Sequence, residues 1–239
     1  MPVEDIAIVL TGTIIPNAPF TAHNDPQVRR REYLEAIRFY RQFAPVYFLE
    51  NSSYALGDDA EFNAFPDVMI RQRPTSIAPQ RGKGYQEFEM IDGWLMDEPR
   101  PPRRWVKITG RYLYQNFASL LVDCRRQPQA RILIDQCARS RKARGYLFCV
   151  ETEFYRERIA GAYRECDDAS GNWIEYVLYN CLSRVPDTQV RLFAEEPQLR
   201  AISGSTGGDL ETPPVKFAVK RVLRWINYFF DEQRLWYTH

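Results

Sequence analysis

The chain has 239 residues, enough for one large domain or two small ones. At 45% hydrophobic and 26% charged residues its composition is that of a folded globular protein, which excludes a disordered chain. Lys plus Arg total 32 against 31 Asp plus Glu, so net charge gives no footprint for nucleic acid.

Five cysteines stand far apart with no CxxC, and there are only two histidines, His23 and His239. That argues against a structural zinc site and against a Cys–His nucleophile pair. Several cysteines lie in apolar runs, as buried thiols do in a reducing compartment. The opening MPVEDIAIVL has no basic region ahead of a long apolar stretch, so it does not read as a secretory signal. No run of about 18 apolar residues predicts a membrane span. The expected location is the cytoplasm.

In chain order, the short β-branched run at 6–10 predicts a buried strand, ending in Thr11, Gly12 and Thr13. Asp25-Pro26 reads as an N-cap followed by proline at the first helical position. Tyr33, Ile37, Tyr40 and Ala44 then mark one helix face, which Pro45 stops. A second strand at 46–49 runs into Glu50, Asn51 and Ser52. Polar residues thus follow both strands, where ligands bind in open α/β sheets. Residues 66–81 read as irregular. Gly82-Lys83-Gly84 precedes a helix with Tyr85, Phe88, Ile91 and Leu95 on one face. After a proline-rich loop at 97–104 comes a strand at 105–108 inside RRWVKITGRYLYQ. A helix carrying Phe117, Leu120, Leu121 and Cys124 follows, then strands at 132–134 and 146–150. The last of these leads into Glu151-Thr152-Glu153 and a helix marked by Tyr155, Ile159, Ala162 and Cys166. A turn at 167–171 precedes an apolar helix containing Glu175. Residues 203–214 (SGSTGGDLETPP) predict a flexible loop, and 215–230 a basic amphipathic helix.

The ordered pieces LTGTI, FLENS, GKGYQEFEMIDGWL, WVKITGRYLYQN, ETEFY and GNWIEYVLY resemble bacterial glycosyltransferases that build surface polysaccharides such as lipopolysaccharide O-antigen or capsule. KITGRY is the most specific piece, and the resemblance covers roughly residues 5 to 185. It implies a single GT-A-like α/β domain with a central mixed, mostly parallel sheet flanked by helices. That domain would span 1–200, with a nucleotide-sugar half at 1–104 and an acceptor half at 105–200; 201–239 would add the loop and C-terminal helix. By position in such folds, Leu10, Thr11, Gly12 and Glu50 would hold the nucleoside, and Lys83 would face the donor.

The usual enzyme of this fold class ends a strand in Asp-x-Asp, which holds a divalent metal on the diphosphate. Here Thr109-Gly110-Arg111 stands in that place. A departing nucleoside diphosphate gains negative charge, and a preorganised cation must meet it. Lys107 and Arg111 are four residues apart, so on one strand they would share a face. Gly110 would let the backbone approach the ligand. Basic side chains are therefore expected to replace the metal, with no permanently bound cofactor and the nucleotide-sugar as co-substrate. Two alternatives stand beside this: a surface strand with snorkelling cations, and a displaced metal site at Glu151 and Glu153. The second pair also reads as acids at a helix N-terminus.

An acceptor hydroxyl must lose a proton as it attacks the anomeric carbon. Glu175 is the first candidate base, Asp168 the second and Glu153 the third; Glu175 also reads as an exposed helix acid. His23 reads as a surface-loop residue. The C-terminal helix suits the interface of an anionic membrane on its inner face, or packing against the core, or an oligomer contact. The expected partners are a nucleotide-sugar and a glycan or lipid-linked glycan acceptor, with inversion at the anomeric carbon. The competing reading is a non-catalytic nucleotide- or glycan-binding subunit that kept the fold and lost the metal motif.

Overall fold

β1 (Ile6–Gly12) is buried along its whole length, as a β-branched run covered on both faces must be. In the computed structural model, which describes residues 6–19, 21–230 and 235, it lies near the middle of a seven-stranded sheet. The first half of the chain continues with α1 (Pro26–Tyr40), β2 (Val46–Glu50), α2 (Ala60–Asn63), β3 (Val68–Gln72) and α3 (Lys83–Asp97). The second half supplies β4 (Arg104–Thr109), β5 (Leu113–Tyr114), α4 (Phe117–Arg126), β6 (Ile132–Cys137) and β7 (Lys142–Glu151). It ends with α5 (Thr152–Arg158), α6 (Ile174–Leu182), β8 (Val190–Arg191), β9 (Leu199–Arg200) and α7 (Pro214–Phe229).

The strand order is β3-β2-β1-β4-β7-β6-β8. β1, β2, β3 and β4 pair in parallel, and so do β6 and β8; β7 is antiparallel to both neighbours. β5 and β9 form a separate antiparallel pair. The chain is thus a single α/β domain with a mixed, mostly parallel sheet between helix layers.

Alternation along the strands builds two cores. Ile6, Ile8 and Leu10 of β1 face the layer of α1 and α4, whereas Ala7 and Val9 face α3, α5 and α6. Each fully buried aliphatic or aromatic side chain contributes about 1.5–3 kcal/mol. α1 starts where the sequence places it: the Asp25 carboxylate accepts from the amides of Gln27 at 2.8 Å and Val28 at 3.1 Å, and Pro26 follows.

Two expectations need correcting. Residues 66–81 contain a strand, β3, at the sheet edge, where partial exposure leaves no continuous apolar run. The helix read from Tyr155 to Cys166 is broken: α5 ends at Arg158, and Gly161 at φ 81° turns the chain into a separate 3-10 turn. β7 runs opposite to β4, pairing Glu151 with Arg104 at the start of β4. Glu151 and Glu153 therefore lie at the edge of the sheet away from the ends of β1 and β4. There Glu151 pairs with Arg131 at 3.1 Å and Glu153 with Arg156 at 2.8 Å, at the N-terminus of α5.

Candidate active site

A cavity of about 880 Å³ opens at the carboxyl ends of β1 and β4. Thr11 and Gly12 from β1 and Thr109 from β4 line it, as parallel neighbours that end together must. The antiparallel course of β7 brings its beginning, Lys142 to Gly145, to the same edge. Asp135 at the end of β6, Glu87 and Lys83 from α3, and Asp168 and Glu175 beside α6 complete the wall.

Of the residues singled out from sequence, Thr11, Gly12, Lys83, Thr109, Arg111, Asp168 and Glu175 line this cavity together. Leu10, Glu50, Lys107 and Gly110 are not on its wall. Leu10 is fully buried in the core under α1. Glu50 is buried as well, and its carboxylate accepts from Ile14 N at 2.8 Å, Ser52 N at 2.9 Å, the Ser52 hydroxyl and Gln72 Nε2 at 2.9 Å. With those donors it fixes the loops after β1 and β2, so it shapes the site from behind. Gly110 approaches backbone and not ligand: its N–H donates to Thr11 O at 2.8 Å, and a Cβ there would lie 2.7 Å from that oxygen.

Lys107 and Arg111 do not share a face, because β4 ends at Thr109. Lys107 points toward α3 and is wholly buried, with Nζ 2.7 Å from Glu87 Oε1, 2.7 Å from Gly145 O and 2.9 Å from Thr109 Oγ1. Burial lowers its pKa, and Glu87 opposes that. Glu87 also accepts from Thr11 Oγ1, and from Thr109 Oγ1 at 3.1 Å. Lys107 thus positions Glu87 and the two strand-end threonines from beneath the cavity. Arg111 turns the other way, to α1, where Nη1 sits 3.0 Å from Glu32 Oε2; its Nε is buried without a hydrogen-bond partner. His23 also pairs with Glu32, at 2.9 Å, and is not on the cavity wall.

The cations converge. Arg29 of α1 lines the cavity while donating to Thr13 O at 2.8 Å, His23 O at 3.0 Å and Tyr33 Oη at 3.0 Å. Burial lowers the pKa of Lys83; Asp168 opposes this, while Arg29 and Arg111 lower it further. These three cations are therefore close enough to feel one another, an arrangement that an anion relieves. The segment predicted as a flexible loop at 203–214 reaches this cluster. Ser205 Oγ lies 2.6 Å from Lys83 Nζ, and Gly204 O accepts from the amides of Ala22 and His23.

Two acids share the cavity with these cations. Burial raises the pKa of Glu175, its own amide and Lys142 oppose that, and Asp168 and Glu87 add to it. Burial also raises the pKa of Asp168, although the Lys83 amide donates to its carboxylate at 3.2 Å. Lys142 sits 4.4 Å above the Trp173 ring, just before Glu175.

Sequence reasoning missed Arg29, Glu87, Asp135, Lys142 and Arg144. The clustering of basic residues at 29–31 and 139–144 was the available signal for three of them. Nothing in the local pattern singles out Glu87.

The donor set at the end of β4 does not suit a divalent cation. Thr109, Gly110 and Arg111 end and follow β4 without a carboxylate among them, and Glu87 is engaged by an ammonium and two hydroxyls. Among the described residues no group of three His, Cys, Asp or Glu side chains could hold a metal.

No protein-family model matches the chain. No curated protein matches it in sequence. Solved structures do match its fold. A mannosyltransferase from Pyrobaculum calidifontis, PcManGT, in complex with GDP-Man and Mn²⁺, aligns with a TM-score of 0.50 at 11% identity, covering 95% of this chain. The chain spans 62% of the length of that structure. A putative glucose-1-phosphate thymidylyltransferase from Bacillus anthracis aligns at TM-score 0.47 and 10% identity, over 93% of this chain and 96% of its own. Mouse xyloside xylosyltransferase 1 aligns at 0.43 and 9%, over 79% of this chain and 84% of its own. The chain has a GT-A-like fold; at these identities the likeness extends to the fold alone.

Proposed function

We propose that the protein is a glycosyltransferase that moves a sugar from a nucleotide-sugar donor to a growing bacterial surface glycan, free or lipid-linked. The observation that carries this reading is the gathering of three cations and two acids in one cavity at the strand ends. Arg29, Lys83 and Arg111 line it together with Asp168 and Glu175, and Asp168 sits against the Lys83 amide. Thr11, Gly12 and Thr13 end β1 where a nucleoside would lie, beside the loops that Glu50 holds.

Arg111 and Lys83 receive the charge that builds on the diphosphate as the anomeric bond breaks. Arg29 is committed to backbone carbonyls and to Tyr33, so it fixes the loop after β1 and adds to the positive field. Glu175 takes the proton of the acceptor hydroxyl, a task for a carboxylate with a raised pKa in a mostly enclosed position. Asp168 is occupied by the Lys83 amide and serves to orient the Gly82-Lys83 turn. Displacement from the side opposite the diphosphate inverts the anomeric centre, without a metal.

Titration calorimetry with a panel of nucleotide-sugars, in EDTA, tests the reading. One donor class binds, the matching nucleoside diphosphate competes with it, and affinity falls as salt rises. A panel in which no nucleotide-sugar binds sinks the proposal.

A further inference from the structure

α7 is mounted with its polar side inward. Arg224 is buried and donates to Asp135 Oδ1 at 2.8 Å, to Glu196 Oε2 at 2.7 Å and to Phe193 O at 2.7 Å; Asn227 is fully buried one turn on. The opposite stripe, Val215, Val219, Val222, Trp225 and Phe229, recurs at intervals of three and four residues and faces solvent. Val215 is 78% exposed, Trp225 65% and Phe229 69%. A helix held by a buried ion network leaves this apolar face for something outside the domain.

Charge selects among the candidates for that face. Lys216 and Arg221 flank the stripe and are exposed, and α7 carries no acidic residue. Two copies stacked on the stripe would bring these like charges together, with no acid on α7 to compensate them. An anionic lipid surface instead pairs with both cations. Trp225 and Tyr228 are amphipathic rings of the kind that sit at headgroup level. No described helix is long and apolar enough to cross a membrane, so α7 can lie on a bilayer but not span it.

We propose that α7 lays this stripe into the interface of an anionic bilayer, anchoring the domain by its outward apolar face. The inference goes beyond the glycosyltransferase reading and does not depend on it. Asp135, which Arg224 holds, also lines the cavity and accepts from Arg144 at 2.9 Å, so the anchored helix abuts the active-site wall.

Cosedimentation of the full chain with phosphatidylcholine vesicles, with and without phosphatidylglycerol, is the test. The chain sediments with the anionic vesicles and releases as salt is raised. The triple substitution Val219→Ser, Trp225→Ser, Phe229→Ser lowers partition by more than about ten-fold. The pair Lys216→Glu, Arg221→Glu removes the preference for phosphatidylglycerol. All five side chains are exposed, so circular dichroism of both variants matches the wild type. No sedimentation with anionic vesicles overturns the proposal, and so does binding that the triple substitution leaves unchanged. A dimer in analytical ultracentrifugation that the triple substitution dissolves, without vesicle binding, gives the face to a second copy and equally overturns it.

Discussion

Replacing Arg111 by alanine lowers kcat for donor turnover by about 10²–10³-fold, the cost of removing one preorganised group from a developing charge. The loss falls on kcat more than on KM, because the charge on the diphosphate grows as the glycosidic bond breaks. Arg111 is placed for this by structure and not by sequence spacing. β4 stops at Thr109, Gly110 tucks against Thr11, and the Arg111 side chain, itself on the cavity wall, crosses to Glu32. Glu32 retains His23 as a partner when the arginine is gone, so the variant keeps its fold and its thermal midpoint shows this. Arg111→Lys preserves the charge but loses the fork, and recovers only part of the rate. A variant that folds and turns over donor at the wild-type rate would remove Arg111 from the mechanism.

Glu175→Gln lowers kcat by about 10²–10⁴-fold, the usual worth of a positioned general base. The pH profile of the wild type carries the sharper signature. The base acts as a carboxylate, so the rate rises with pH through the pKa of Glu175. Burial raises that pKa, which places the acid limb above the range of an exposed glutamate. The neighbours supply opposite signs. Lys142 pulls the pKa down, so Lys142→Met moves the limb to higher pH; Asp168 pushes it up, so Asp168→Asn moves the limb to lower pH. If Asp168 were the base, Asp168→Asn would abolish the limb together with the activity. Initial rates across the pH range in these variants separate the two acids.

Much of the sheet is legible in the sequence, and the reasons are local. The run at 6–10 can only be a buried strand, Asp25-Pro26 announces α1, and 46–49 and 105–108 repeat the pattern beside polar ends. Local pattern fails where direction and distance decide. Nothing in GYLFCVETE states that β7 runs against β4, yet this sends Glu151 to the far edge and delivers Lys142 and Arg144 to the cavity. Glu87 and Lys107 are twenty positions apart on different elements, and only the packing of α3 under the strand ends joins them. Lys107 on a strand reads as a cation facing ligand or solvent; the partly exposed carboxylate of Glu87, reaching it from α3, makes it an internal one. α7 shows the same limit. Its amphipathic pattern is plain, but the face that packs is chosen by Asp135 and Glu196, neither of which lies near it in sequence.

In the proposed mechanism, cations beside the end of β4 stabilise the departing diphosphate without a metal. Donor turnover by the wild-type chain in excess EDTA, followed by added Mn²⁺ or Mg²⁺, tests that directly. Nucleoside diphosphate is expected to be released in EDTA at a rate that neither metal raises appreciably. Turnover that appears only on adding metal would contradict it, and donor binding without turnover under any condition would leave a binding subunit in its place.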